Sequence, residues 1–309
     1  MSINITPAMQ IAFKNNIELQ LQQTKSKLMD ACMWDSQTGG EKIKVKDIVG
    51  NVMPQKANER HGDTKFGNRT FDGVWIPKPD EIYDADLIDN ADRLGTALNL
   101  DSSTLQSLAS TIARGRDQRI LEGFYGPIIS GKSGTISTAL PAGQTIAVTT
   151  GGAAGAQKFN TAKLRAALKL LIQGYADPEA PRYMVLTADD NDQLLQEITV
   201  TSGDFKPSYK AEVNDAGQVT KCLGWTFLYC ELDNLLLDTI PALSTDGSGY
   251  RKTPFWVKGG LVGNEWQHLR QSLDYRPDKL LSAQMFAGTT LAASRTQAGL
   301  SGVILNVKG

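Results

Sequence analysis

The pattern of apolar and polar positions changes character several times along the chain. Residues 11–28 set Ile11, Phe13, Ile17, Leu19, Leu21 and Leu28 among glutamine, asparagine and lysine. Their spacing follows neither a helical stripe nor a strand cleanly. It predicts a helix with a weak apolar face, either an arm that packs on another surface or an ordinary N-terminal helix. Residues 42–46 (KIKVK) alternate charge with a β-branched side chain, as a strand with one wet face does, and residues 70–76 (TFDGVWI) supply a second strand. Between them runs a long polar stretch, GNVMPQKANERHGDTKFGN, without helical period. Residues 36–80 are therefore expected to form a two-stranded ribbon with a long irregular tip. An isolated hairpin is marginal in water, and a structureless loop of that length is uncommon inside a compact domain. The ribbon is expected to gain its stability from another subunit; the competing reading is a disordered surface loop.

Residues 101–124 give the clearest helix, with Asp101 or Ser102 as cap and Leu105, Leu108, Ile112, Ile120 and Phe124 recurring at helical intervals. Arg114, Arg116, Asp117, Arg119 and Glu122 occupy much of the rest. Such a helix would run about 35 Å. A second helix is expected over 161–173, with Leu164, Ala167, Leu168, Leu171 and Ile172 on one face and Gly174 where a left-handed residue would end it. A buried strand (182–187) feeds a third helix (189–198) whose acidic first turn suits the helix dipole. Residues 225–230 and 254–257 read as core strands, and 265–275, 281–292 and 301–307 as long β-rich runs. The order of elements predicts an α+β fold.

Composition narrows what such a fold does. The chain has 309 residues, 32 basic and 33 acidic, for a formal charge of −1. That length suits one large domain or two joined ones, able to bury about three quarters of the unfolded surface without disulfide or metal. Near-neutrality argues against a dedicated nucleic-acid binder. Three cysteines at unrelated spacings suit a reducing compartment, and two histidines leave little room for histidine catalysis or a zinc site. The start, MSINITPAMQIAFKNN, has none of the parts of a signal peptide, and the longest uncharged stretch, residues 133–157, is too polar to insert in a bilayer. The protein reads as soluble and cytoplasmic when made.

Residues 126–133 (GPIISGKS) fit the phosphate-loop spacing G-x-x-x-x-G-K-[ST] at every position. A true phosphate loop is entered by a strand and left by a helix whose N-terminus faces the anion. Here a long helix enters and a Gly-, Ser- and Thr-rich stretch leaves, so the match reads as chance. The run Gly151-Gly152-Ala153-Ala154-Gly155 misses the dinucleotide spacing and reads as a hinge. Asp189, Asp190 and Asp192 lack the glycine and terminal glutamate of a calcium loop and read as helix capping. The acidic group Asp80, Glu81, Asp84, Asp86, Asp89 and Asp92 reads as a solvated face. His61 and His268 lie in no nucleophile motif. No residue is assigned a catalytic, cofactor-binding or metal-binding role.

The order of arm, ribbon, long helix ending in RDQRILEGFYG, mixed block and late strands (DYRPDKLLSAQMFAGTTLAASRTQAGLSGVILNV) resembles the major capsid proteins of tailed double-stranded DNA phages, with the Hong Kong 97-type fold. The resemblance implies an N-arm (1–35), an E-loop (36–80), a P-domain (81–154 with 262–296, spine helix 102–124) and an A-domain (155–261 with 297–309). It implies hexamers and pentamers tiling an icosahedral shell around packaged DNA, with a portal at one vertex, a separate scaffolding protein and a possible decoration protein as partners, no cofactor and no membrane. The location implied is the virion, and the host cytoplasm during assembly. Expected intersubunit contacts are Lys42, Lys44, Lys46, Arg60, Lys65, Arg69 and Trp75 on the ribbon and Arg114, Arg116 and Arg119 on the helix, the last three facing a neighbour or, non-specifically, DNA. The alternatives are an encapsulin-like nanocompartment shell and a nucleotide-binding protein built on residues 126–133.

Overall fold

The computed structural model describes residues 25–49, 54, 56, 63–64, 66, 71–88, 100–152, 155–197, 211–234, 238–280 and 282–308. Residues 11–24 of the expected arm helix, most of the ribbon tip with Arg60, His61, Lys65 and Arg69, and Asp89 and Asp92 lie outside them. In chain order the elements are β1 (Met33–Asp35), β2 (Lys42–Val49), β3 (Phe71–Pro77), β4 (Ile82–Ile88), α1 (Leu100–Tyr125), β5 (Ile128–Ser130), β6 (Ile136–Thr138), β7 (Thr145–Ile146), α2 (Thr161–Gln173), β8 (Arg182–Leu186), α3 (Ala188–Gln196), β9 (Glu212–Val213), β10 (Val219–Cys222), β11 (Trp225–Tyr229), α4 (Ile240–Leu243), β12 (Arg251–Val257), β13 (Leu261–Arg276), β14 (Ser282–Arg295) and β15 (Ser301–Asn306).

These build an α+β molecule on three sheets, ordered β1-β13-β14-β4, β7-β15-β12-β8-β11-β10-β9 and β2-β3-β5-β6. In the first, β13 and β14 form a long antiparallel hairpin whose ladder reaches Arg276↔Ser282, and α1 lies along β14. The predicted stripe of α1 is the one that packs: Leu108 and Ile112 meet Met285, Ala287 and Ile88, while Ile120, Leu121 and Phe124 enter a core shared with Trp256, Leu261 and Val303. The helix approaches so closely that a Cβ on Gly123 would stand 2.1 Å from the Ala293 carbonyl oxygen. Only glycine permits that approach.

The seven-stranded sheet is covered by α2 and α3. On α2, Leu164, Ala167 and Leu171 pack against Met184, Trp225, Phe255 and Ile304. The helix ends as predicted at residue 173, but Gly174 is not left-handed (φ −78°); Tyr175 takes that role with φ 57°. Gly174 serves another purpose, since a Cβ there would sit 2.6 Å from the Gly299 carbonyl oxygen. The two-residue strand Thr145–Ile146 pairs in parallel with β15.

One buried cation ties α2 to the C-terminal strand. Lys163 Nζ donates to the carbonyls of Gln157 (2.7 Å) and Leu305 (2.8 Å) and to Asn306 Oδ1 (2.8 Å). Burial draws its pKa down from 10.5 to about 8. Between those values the unfolded chain binds more protons than the folded one, so this group makes stability rise with pH across that window. Lys163→Met should lower stability by roughly 2 kcal/mol at neutral pH, because three acceptors lose their donor. The gap to the native protein should widen from pH about 8 upward, as read by denaturant unfolding at several pH values. Gly123→Ala should cost about 3 kcal/mol or prevent folding, because the obstacle is backbone. Gly143→Ala, where nothing lies within 4 Å, is the neutral control in the same measurement.

Candidate functional site

The sequence-predicted residues fall on two surfaces, the ribbon and α1. In the ribbon, β2 and β3 pair antiparallel from Lys42↔Pro77 to Val49↔Phe71, with a bulge between Lys44 and Lys46. The alternation in KIKVK works as read: Lys42 and Lys44 are exposed, while Ile43 is buried with Ile76 and Trp266. Three further contacts fix the root. Trp75 Nε1 donates to the Gly131 carbonyl (2.7 Å), Trp266 Nε1 to that of Gly40 (3.2 Å), and the Lys78 amide to that of Glu41 (2.8 Å). Trp75 therefore anchors the ribbon inside its own chain. The ladder continues past this root through Val49↔Phe71.

The charges of α1 are used within the chain. Arg116 Nη2 lies 2.8 Å from Glu265 Oε1 on β13, and His268 Nδ1 lies 2.7 Å from the other oxygen of that carboxylate. Arg119 Nη1 pairs with Glu122 at 2.8 Å, one turn along the helix. Arg114 Nη2 donates to Thr111 Oγ1 at 3.2 Å. Arg116 and Arg119 thus each hold a carboxylate of their own chain.

Sequence reasoning placed Asp117 among the polar positions of α1, and the structure buries it. Its carboxylate accepts from the backbone amides of Lys27 (3.1 Å) and Leu28 (3.1 Å) and from the Ser26 hydroxyl. Leu28, Ala31 and Cys32 then pack on Ile120, Leu121 and Phe124, and Trp256 Nε1 donates to the Ala31 carbonyl at 2.9 Å. Residues 26–28 are fastened to the long helix at this point. One signal was available: Asp117 stands three residues before Ile120 and seven before Phe124, on the apolar side of the helix.

The phosphate-loop match is a hairpin. Residues 128–130 and 136–138 pair antiparallel as β5 and β6, Gly131 and Gly134 take positive φ at the turn, and Lys132 is exposed. The next α-helix begins at Thr161, so no helix N-terminus faces the glycines. Asp190 is likewise structural: it closes a capping box with Thr187 and faces Arg251 Nη1 at 3.4 Å, while Arg251 Nη2 reaches Asp189 at 3.0 Å. Burial raises the Asp190 pKa against the opposing pull of Arg251. Among the described residues no group of His, Cys, Asp and Glu side chains could hold a metal, and no helix is long and apolar enough to cross a membrane. The three cysteines are buried and free, and burial pushes Cys222 up to about 11 and Cys230 to about 12, so neither is a thiolate at neutral pH.

What remains for function is surface. On the face of the first sheet carrying Tyr83, that ring stacks on Phe286 (centroids 5.8 Å apart) and the Arg270 guanidinium lies 5.0 Å from the same Phe286 ring. At the hairpin tip Leu280 is 93% exposed with a left-handed backbone (φ 49°).

Comparison with known proteins bears on what is contacted. A sequence model of the family described as phage capsid protein matches residues 5–308. No curated protein matches the chain. Among solved structures, the capsid of cyanophage P-SCSP1u has a TM-score of 0.68 at 14% identity, over 99% of this chain and 100% of that one. The capsid of Ralstonia phage GP4 gives 0.65 at 13% identity, over 100% and 99% of the two chains. The cyanophage Pam1 capsid gives 0.64 at 10% identity, with both chains covered completely.

Asp117→Asn should free the segment it clasps. Trypsin cleavage after Lys25 and Lys27 is expected to accelerate by about tenfold in the free subunit, the measure of one charged hydrogen-bond set lost.

Proposed function

The chain belongs to the phage capsid protein family and is a structural subunit of a phage head shell, and we propose how its parts build that shell. Residues 1–35 act as an N-arm, 36–80 as an E-loop, 81–154 with 262–296 as a P-domain and 155–261 with 297–309 as an A-domain. Copies assemble as hexamers and pentamers that close around packaged DNA. A portal, a scaffolding protein and a decoration protein are the further partners this reading allows. The strongly perturbed groups Asp190 and Cys230 are buried in structural clusters, which suits a structural subunit.

One observation supports the reading most. The β2–β3 ladder is rooted by Ile43, Trp75, Ile76 and Trp266 and runs on past that root. A two-stranded hairpin is marginal in water, so the extension gains by lying across a second copy. Lys42, Lys44 and Lys46, with Arg60, Lys65 and Arg69, then meet acidic groups of that neighbour. Exposed pairs contribute about 0–1 kcal/mol each, so they fix register while apolar area supplies the main energy.

Replacing residues 50–70 by Asn-Gly joins the paired ends Val49 and Phe71 by a two-residue turn that tolerates positive φ, so the ladder can still close. The shortened protein is expected to stay soluble with an unchanged unfolding midpoint and to form no shells by electron microscopy. Normal particles from this replacement would refute the role given to the ribbon.

A further inference from the structure

Among the described residues, three without glycine's freedom have left-handed backbone: Tyr175, Leu223 and Leu280. Leu223 is explained by its turn, since Leu223 and Gly224 join the paired ends Cys222 and Trp225 in a two-residue loop that needs positive φ at both positions. Tyr175 has a different setting. The amide of Ala176 bonds the Leu171 carbonyl (3.0 Å) and that of Tyr175 bonds the Ile172 carbonyl (3.1 Å). This bond pair ends many helices, with glycine usually at the left-handed position. The glycine available next door, Gly174, is committed to its contact with Gly299.

A left-handed backbone strains any residue with a Cβ and leaves glycine unstrained. Tyr175 accepts that strain and is also 86% exposed, so the single chain recovers little by burying it. Ile172, three residues earlier, is 59% exposed on the same end of α2. We propose that Tyr175, with Ile172, is an anchor that becomes buried against a second copy of this chain in the assembled shell. The proposal rests on the shell reading above.

The flanking charges favour a second copy over a foreign partner. Arg165 and Lys169 are exposed at helical spacing on the face leading to Ile172, and Asp177 and Glu179 are exposed just beyond Tyr175. The patch is thus basic on one flank and acidic on the other. In a head-to-tail contact the basic flank of each copy meets the acidic flank of the next, an arrangement that repeats around a closed ring. A partner of one sign would be opposed along half of this surface.

Two variants and one probe test the inference in the full-length protein. Tyr175→Gly should keep or raise the unfolding midpoint of the free subunit, since it relieves the backbone. The same variant should lower shell yield by about tenfold or more, as loss of a buried aromatic anchor does. Tyr175→Phe should keep both properties. Because Cys32, Cys222 and Cys230 are all buried, Gln173→Cys places the one exposed thiol beside the anchor. A maleimide should label it quickly in the free subunit and about tenfold more slowly in shells. Equal labelling rates in subunit and shell, or wild-type shell yield from Tyr175→Gly, would overturn the proposal. So would Tyr175→Gly shells that form normally but fail to recruit a second virion protein, which would give the patch to that protein. If the unmodified protein forms no shells at all, it is the shell-building reading that fails, a result distinct from shells whose residue 173 stays open.

Discussion

The close approach of α1 to β14 is the contact on which the other parts depend. Gly123 lies against the Ala293 backbone, and this sets how near the long helix comes to the β13–β14 hairpin. At that distance Ile120, Leu121 and Phe124 reach Trp256, Leu261 and Val303, side chains that belong to both large sheets. The helix is therefore a beam joining the two sheets and not a cover for one. From its middle, Asp117 clasps the backbone at Lys27 and Leu28; its C-terminal end leads directly into the β5–β6 hairpin, whose Gly131 receives the Trp75 indole. Residues 26–28 and the root of the β2–β3 ladder are both fastened at or near this beam.

Much of this was legible because period and burial agree. The stripe Leu108, Ile112, Ile120 and Phe124 is buried as its spacing requires, α2 begins and ends where the pattern said, and the alternation of KIKVK gives the wet and dry faces of β2. What escaped were features that depend on partners distant in sequence. Asp117 looks like a surface acid until residues 26–28 arrive at it, some ninety positions away, and Gly174 looks like a helix stop until Gly299 arrives beside it. In both cases a local preference lost to a long-range contact. The phosphate-loop match failed for the opposite reason: local letters agreed while the flanking elements, a helix before and a strand after, did not.

The arginines show how the body of a subunit can take up charge within itself. Arg116 is drawn to Glu265 because α1 and β13 bring them together in a setting where an unpaired cation would be costly. Arg251 draws Asp189, Asp190 and Asp233 in the same way. Opposite charges are matched inside the subunit, which leaves a nearly neutral body able to crowd against copies of itself without long-range repulsion. Specific contact must then come from shape and apolar area, with exposed charges setting register.

That requirement gives meaning to residues that would count as faults in a self-sufficient monomer. A sequence specifies one structure when local preference, patterning and packing agree, and departures gather where function has its own demands. Tyr175 and Leu280 each join a left-handed backbone to a large, almost fully exposed apolar side chain, two departures at one position. Leu223, whose strain a tight turn explains, is only partly exposed. The residues whose strain the single chain does not explain are the ones turned outward, one at the end of α2 and one at the tip of the longest hairpin. A subunit built to finish burying its surface only in the company of its copies would leave its unsatisfied positions there.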